Sequence, residues 1–459
     1  MKGFFDERFL IDNDTSFELY RSVKELPICD YHCHLSPKEI YEDNNFDSLG
    51  ELWLKGDHYK WRLMRAAGID EYYISGNADW DSKFLAFAEI LPLAVGNPIY
   101  HWVHMELKEY FSINEPLNKK SAKNILRKAN EIIKSGKITP RKLIAKSRVE
   151  TICTTDDIAD SLEYHKLLKK EGYEVKVVPT FRADKAICGI NKDDFYDYVV
   201  KVTGTKKPTF DKWLTVITEK LDYFYSLGCV LADIGMETLP HVIGEKEMAE
   251  KIFNYALTGK QLHETDTSIY IGFMLEFFAS QFKKRNMVLQ LHLSPIRNNS
   301  KKLYTTAGVD SGNDSVGEKA DVLALCNLLN NLDAKNSLPK MIVYSLNPNA
   351  YYEISTMLGN FWGSAKGNLM LGAAWWFCDH KDGIREQLKA LSFTALLGRF
   401  TGMLTDSRSF TAFTRHDYFR RILCNYIGEQ VEKGEYDKES AFELVKAVSI
   451  DNAREFFGL

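Results

Sequence analysis

The 459-residue sequence has no uninterrupted apolar stretch long enough to cross a bilayer, and its opening MKGFFDERFL sets charged side chains where a secretion signal needs apolar ones. A cytoplasmic location and no membrane partner are therefore expected. Charge of one sign is missing too: 59 Lys+Arg against 63 Asp+Glu leave a formal net charge of −4, too weak a field to draw the chain onto nucleic acid. Glycine (28) and proline (12) are too scarce for a collagen-like or low-complexity chain. The eight cysteines show no repeated short spacing of the kind a zinc ribbon or a disulfide framework requires. Several lie inside apolar runs, so buried free thiols are expected. No GxGxxG follows an apolar run, the glycine-containing stretch 308–317 lacks the lysine of a phosphate loop, and there is no GxSxG.

What is present is a recurring pattern. Eight short apolar or β-branched runs, 27–35, 149–155, 173–182, 227–234, 286–293, 339–346, 368–377 and 401–407, end in polar residues and are followed by segments of helical spacing. Near-continuous apolar strands separated by helices predict an α/β protein with a parallel sheet buried on both faces. A count of eight favours a closed (β/α)8 TIM barrel over an open doubly wound sheet. More than a hundred residues separate the first two runs, and they carry helical pattern and aromatics. This predicts a helical insertion, 36–139, covering the active site, on a barrel made of 1–35 and 140–459.

The chemistry-bearing residues fall at predicted strand ends. His32 and His34, two apart on the first strand, point to one face about 7 Å apart along the backbone, close enough to share a metal ion. A hydrogen-bonded pair of core histidines is the alternative. Asp406 ends the eighth run, and closure of a barrel would set it beside the first strand. It is read as a metal contact or catalytic base, against a helix cap for the residues that follow. Arg182, Asp233, His292 and Arg408 also sit at strand ends, where a core avoids ionisable groups unless they are paired. The two arginines fit a fork for a substrate carboxylate or phosphate, or else salt bridges with Asp184 or Asp406. Asp233 and His292 are equally consistent with a functional role and with a structural pair. His58 and Tyr59, taken alone, read as a helix start capped by Asp57. Of Trp375 and Trp376, strand alternation allows one inward-pointing ring.

Five segments carry a resemblance to a known family: DYHCHL (30–35), GDHYKWR (56–62), TFRADKA (180–186), QLH with IRNN (290–299) and LTDSRSFTAFTRHDYFRRIL (404–423). Across nearly its whole length the chain resembles the uronate isomerases of the amidohydrolase superfamily. The resemblance implies a (β/α)8 barrel of the metal-dependent hydrolase type. It also implies reversible aldose–ketose isomerisation of hexuronates through a cis-enediol, D-glucuronate to D-fructuronate and D-galacturonate to D-tagaturonate. His32, His34 and Asp406 then become the metal ligands, with His292 nearby. Asp406, Tyr59, His292 and Asp233 become the acid–base candidates, and His58, Arg182, Arg408 and Trp375 the substrate contacts. Two departures stand out: SPIRN replaces a small-residue GA before IRN, and Ala183 replaces a proline. No lysine ends a strand where carbamylation could bridge two metals, so one divalent ion is expected, zinc first, with manganese, cobalt and iron also fitting the donors. The expected partner is a small hexuronate, and a homo-oligomer stays open. A hydrolase of an ester, lactone or amide on the same barrel is the alternative function.

Overall fold

The computed structural model describes residues 3–361 and 368–459. Two parallel sheets form its centre. In the first, β1 (Ile28–Asp30) pairs with β2 (Val149–Cys153), which pairs in turn with β4 (Lys176–Val178). The second contains β3 (Asp156–Asp157), β5 (Phe181–Arg182), β6 (Leu231–Met236), β7 (Val288–Leu293), β10 (Lys340–Ser345) and β11 (Leu369–Leu371), ordered β11-β10-β7-β6-β5-β3. Every pair in these two sheets is parallel. The sheets are continuous with each other, because β2 runs into β3 and β4 into β5 across bonds from Thr154 N to Val178 O (3.1 Å) and from Asp156 N to Thr180 O (3.1 Å). A short antiparallel pair, β8 (Pro295–Ile296) with β9 (Ser315–Val316), folds the connection after β7.

Seven of the eight expected strands are thus present, two of them broken into short pieces. The exception is 401–407, which has no assigned strand. Its backbone turns left-handed at Gly402 (φ +77°) and Asp406 (φ +45°), which interrupts extended pairing. Glycine is required at the first of these: a Cβ there would meet Val448 O at 2.3 Å. The segment nevertheless lies along the chain after β1, through Asp406 N to His32 O (3.1 Å) and His34 N to Ser407 O (3.0 Å). Among the described residues, sheet pairing does not join it to β11. β11 is also shorter than the run 368–377, because Trp376–Cys378 winds into a 3-10 turn.

Burial explains the apolar runs. All six residues of β7 and five of the six in β6 are buried, as strands covered on both faces must be. Buried hydroxyls around them find acceptors: Tyr344, on β10, donates to Gln290 Oε1 on β7 (2.8 Å), and Tyr31, just after β1, donates to the backbone carbonyl of Gly402 (2.7 Å). Between β1 and β2 every assigned element is helical, including Trp80–Ile90, Pro98–Phe111 and Ala122–Lys134. Among the described residues no helix is long and apolar enough to cross a membrane. All eight cysteines are free, and six of them are buried.

Candidate active site

The residues singled out by the sequence converge at the C-terminal ends of the strands. His32 and His34 lie in the segment just after β1 rather than within it, and both rings reach the same carboxylate oxygen. Asp406 Oδ1 is 3.0 Å from His34 Nε2 and 3.4 Å from His32 Nε2. Its second oxygen accepts a hydrogen bond from Trp375 Nε1 (2.8 Å). Asp406 therefore does not cap the residues after it. Its left-handed backbone is uncommon for a non-glycine residue and is held from several sides. Asp30 accepts from both Thr405 N (2.8 Å) and Thr405 Oγ1 (2.6 Å), while the two backbone bonds to His32 and His34 flank Asp406 itself.

A second constellation adjoins the first. His292, on β7, pairs through Nδ1 with Asp233 Oδ1 on β6 (2.8 Å), and Asp233 Oδ2 faces Arg182 Nη1 at 3.4 Å. Arg182 is also held by Asp184, Nε to Oδ2, 2.8 Å. The pairing read from the sequence as the alternative for Asp233 and His292 is thus present, yet it occupies only one ring nitrogen. His292 Nε2 is buried without a hydrogen-bond partner, and so is His32 Nδ1. The His32 and His292 rings lie 4.9 Å apart.

Two groups of donors can hold a metal ion: His32, His34 and Asp406, and His32, Asp233 and His292, with the ligand atoms of each group within 4.8 Å of one another. Imidazole nitrogens and carboxylate oxygens are the donors a divalent transition ion takes, and the unpartnered buried nitrogens leave lone pairs or protons with no use inside the protein alone. The residues present therefore fit a metal. Only the first group has Asp406 on both imidazoles, whereas Asp233 is already committed to Arg182.

Electrostatics sharpen the division. Burial works against an ionised Asp406, but hydrogen bonds and charge from His32 and His34 outweigh it and hold the carboxyl well below its ordinary range. Burial lowers His34 to about 4, only partly offset by Asp406, so its imidazole is neutral and available as a ligand. Asp233 is likewise ionised: burial opposes this, and Arg182 and His292 overcome it. Burial and then Arg408 lower His58. Tyr59 is pushed well above the ordinary phenol value by burial and by Asp406, so it keeps its proton.

The helix His58–Ala66 brings His58 and Tyr59 over this centre, and its start is capped by Asp57, which accepts from Lys60 N (3.0 Å). The cap read from the sequence is realised, and the same helix start sets His58 in the cavity lining, whereas Tyr59 packs against His58 and is not among the lining residues. His58 stacks on Tyr59 (4.9 Å) and meets Trp376 edge-on (5.6 Å). The connection after β7 is fastened to the same helix by Arg62 Nη1 to Asp314 O (2.7 Å) and by Arg65 to Ser311 O. Gly312, at φ +82°, permits that approach: a Cβ would lie 2.8 Å from His58 O.

The cavity is about 130 Å³ and is lined by His32, His34, His58, Arg182, Asp233 and His292 together with Trp375, Asp406 and Arg408. Arg297, Asp310 and Trp376 line it as well and were not chosen from the sequence. Arg297 stands in the IRNN segment, which was the available signal. Asp310 lies in an irregular loop that gives no periodic cue. The rule that one tryptophan points inward is corrected here, because Trp376 sits at φ +53° in a 3-10 turn and strand alternation no longer applies. Arg408 pairs with Asp310 (Nη2 to Oδ2, 2.8 Å) rather than with Asp406.

The profile of the glucuronate isomerase family matches residues 1–457. The chain belongs to that family. It is 46% identical to the uronate isomerase of Caldanaerobacter subterraneus subsp. tengcongensis over 467 residues, covering 100% of each chain. The crystal structure of the uronate isomerase from Thermotoga maritima is similar at a TM-score of 0.95 and 34% identity, with 99% of this chain and 100% of that one covered. The glucuronate isomerase structure from Caulobacter crescentus shares the fold at a TM-score of 0.92, with 23% identity and coverage of 99% and 97%. The resemblance read from five short segments thus holds along the whole chain, and membership of this family makes the chain an isomerase.

Proposed function

We propose that the chain interconverts aldose and ketose forms of hexuronates, D-glucuronate with D-fructuronate and D-galacturonate with D-tagaturonate, at the cavity around Asp406. The observation that carries this reading is the meeting, in one cavity, of the His32–His34–Asp406 donor set with two arginines suited to a substrate carboxylate. We propose further that run 401–407 closes the two sheets into one eight-stranded barrel, with 36–139 as the helical cover. The backbone bonds from Asp406 and His34 support one of the two seams.

The isomerisation moves one hydrogen from C2 to C1 and one from the C2 oxygen to the C1 oxygen, by way of a cis-enediol. Arg182 and Arg408 hold the substrate carboxylate, which fixes the sugar chain relative to Asp406. His32, His34 and Asp406 would hold a divalent ion, zinc first among those the donors fit, which when bound supplies Lewis-acid stabilisation of oxygen charge. Asp406, ionised, takes the proton from C2 and returns it to C1, while the Trp375 indole fixes the direction of its second oxygen. Tyr59, protonated and with no hydrogen-bond partner for its hydroxyl among the described residues, donates to the substrate oxygen on which charge develops, and His58 adds a neutral contact beside it. His292, its tautomer set by Asp233 at Nδ1, presents Nε2 to the substrate for ring opening.

The test is ketose formation from D-glucuronate and D-galacturonate by the metal-replete protein. Conversion at constant mass supports the reading. No conversion of either sugar, or gain of the mass of water on an ester, lactone or amide, replaces it with the hydrolase.

A further inference from the structure

Arg415, the second residue of the helix Thr414–Glu432, is 3% exposed and lies behind the cavity rather than in it. Nothing in the proposed reaction uses it, and its surroundings are unusual. Its guanidinium carbon is 3.9 Å from the centre of the Trp102 ring and 5.3 Å from that of Tyr59, both within the range of cation–π attraction. Its Nη1 donates to Thr405 O at 2.8 Å, the carbonyl of the peptide whose nitrogen belongs to Asp406. The carboxylate facing it, Asp379, is also buried and stands 3.8 Å away, too far for a close ion pair. A buried cation costs a great deal unless it is paired and bonded. This one spends its contacts on two aromatic rings, a single peptide carbonyl and a loose approach to Asp379.

We propose that Arg415 is a positioning residue: its planar guanidinium fixes the Tyr59 ring and the left-handed peptide of Asp406 in one mutual geometry. The proposal rests on the reading that Tyr59 and Asp406 act on the substrate. Trp102 comes from the helix Pro98–Phe111 and Tyr59 from His58–Ala66, both between β1 and β2, whereas Thr405 and Arg415 come from the far end of the chain. One side chain therefore couples the helical cover to the segment that carries Asp406. Lysine cannot replace it, because an ammonium has no flat face to stack and no fixed fork of donors.

The test compares Arg415→Lys and Arg415→Gln with the wild type in the ketose-forming assay, with bound metal and thermal melting measured alongside. Glutamine keeps a planar donor for Thr405 O without the charge. The expected result for Arg415→Lys is a fall in kcat of about 10- to 100-fold, the scale of a small misplacement of reacting groups. KM stays within about threefold and metal content is unchanged, because ground-state binding is not what is lost. In Arg415→Ala, guanidinium ion at sub-denaturing concentration restores turnover saturably, and methylammonium does not. A kcat within about twofold of wild type for a folded Arg415→Lys overturns the proposal. Failure of all three variants to fold also overturns it, by assigning Arg415 to stability. Tyr59→Phe and Asp406→Asn run in the same assay separate the two levels. Full activity in both removes the reading beneath the proposal, while loss in both with a normal Arg415→Lys removes the proposal alone.

Discussion

The two ends of the central strands treat buried polar groups in opposite ways. Near the N-terminal ends of β1 and β2 lies a cavity of about 530 Å³, larger than the one around Asp406 and lined by many charges. There the arginines other than the exposed Arg21 are bonded within the protein. Arg420 donates to the carbonyls of Leu26 (2.8 Å) and Pro27 (2.6 Å), Arg421 to Asp417 (2.8 Å) and Tyr20 (2.5 Å), and Arg148 pairs with Glu25 (2.9 Å). Among the described residues, no side chain lining that cavity has a buried polar atom without a partner. At the C-terminal ends, His32 Nδ1, His292 Nε2 and the Tyr59 hydroxyl are all buried and unpartnered, and Asp406 holds a conformation its residue type rarely adopts. The difference teaches that neither cavity size nor charge marks the chemistry. Between these two cavities, what differs is that only the one around Asp406 is lined by buried ring nitrogens without a partner.

Substitutions can test that contrast directly. The largest effect is expected for His32→Ala with His34→Ala, which removes two of the three ligands of the favoured donor set. Bound metal should disappear and turnover with it, and unchanged metal by elemental analysis would break the assignment. Next comes Asp406→Asn, which keeps shape but not the base. Turnover should fall about 10²- to 10⁴-fold, the usual scale of a general base, in a protein with wild-type melting. Arg182→Ala should raise KM for uronates by about 10- to 100-fold, the worth of a charge-assisted hydrogen bond, and do little to a neutral sugar. At the opposite end, Arg420→Ala should do the reverse, costing about 1 to 3 kcal/mol of stability by stranding carbonyl groups and leaving kcat untouched. A thermal melt beside a rate measurement reads both. The smallest effect belongs to Asp310→Asn, which frees Arg408 from a half-exposed pair worth about 0 to 1 kcal/mol. KM should fall, by no more than about fivefold.

Much of this site was legible in the sequence because strand ends are. Residues two apart at the end of an apolar run, and ionisable groups where a core excludes them, identified His32, His34, Arg182, Asp233, His292 and Asp406 without any contact being known. What periodicity could not give was irregular backbone. Run 401–407 has the composition of a strand, but Gly402 and Asp406 turn it left-handed, and Trp376 enters the cavity from a 3-10 turn. Asp310 and Arg297 come from the connection after β7, whose path depends on Arg62 and Arg65 holding it to a helix nearly 250 residues earlier. Arg415 lies within the 404–423 segment that carries the resemblance, but nothing in its spacing assigns it a role, because that role depends on Trp102 and Tyr59, which come from elsewhere in the chain.

The most direct test of the central claim is NMR of the metal-replete protein with D-glucuronate in D₂O, following ketose formation and deuterium at C1 and C2. The account predicts D-fructuronate, with deuterium entering the substrate pool only through the enzyme and both signals lost in Asp406→Asn. D-Fructuronate formed at the wild-type rate by a folded Asp406→Asn protein, or no ketose from either uronate with metal bound, would contradict it.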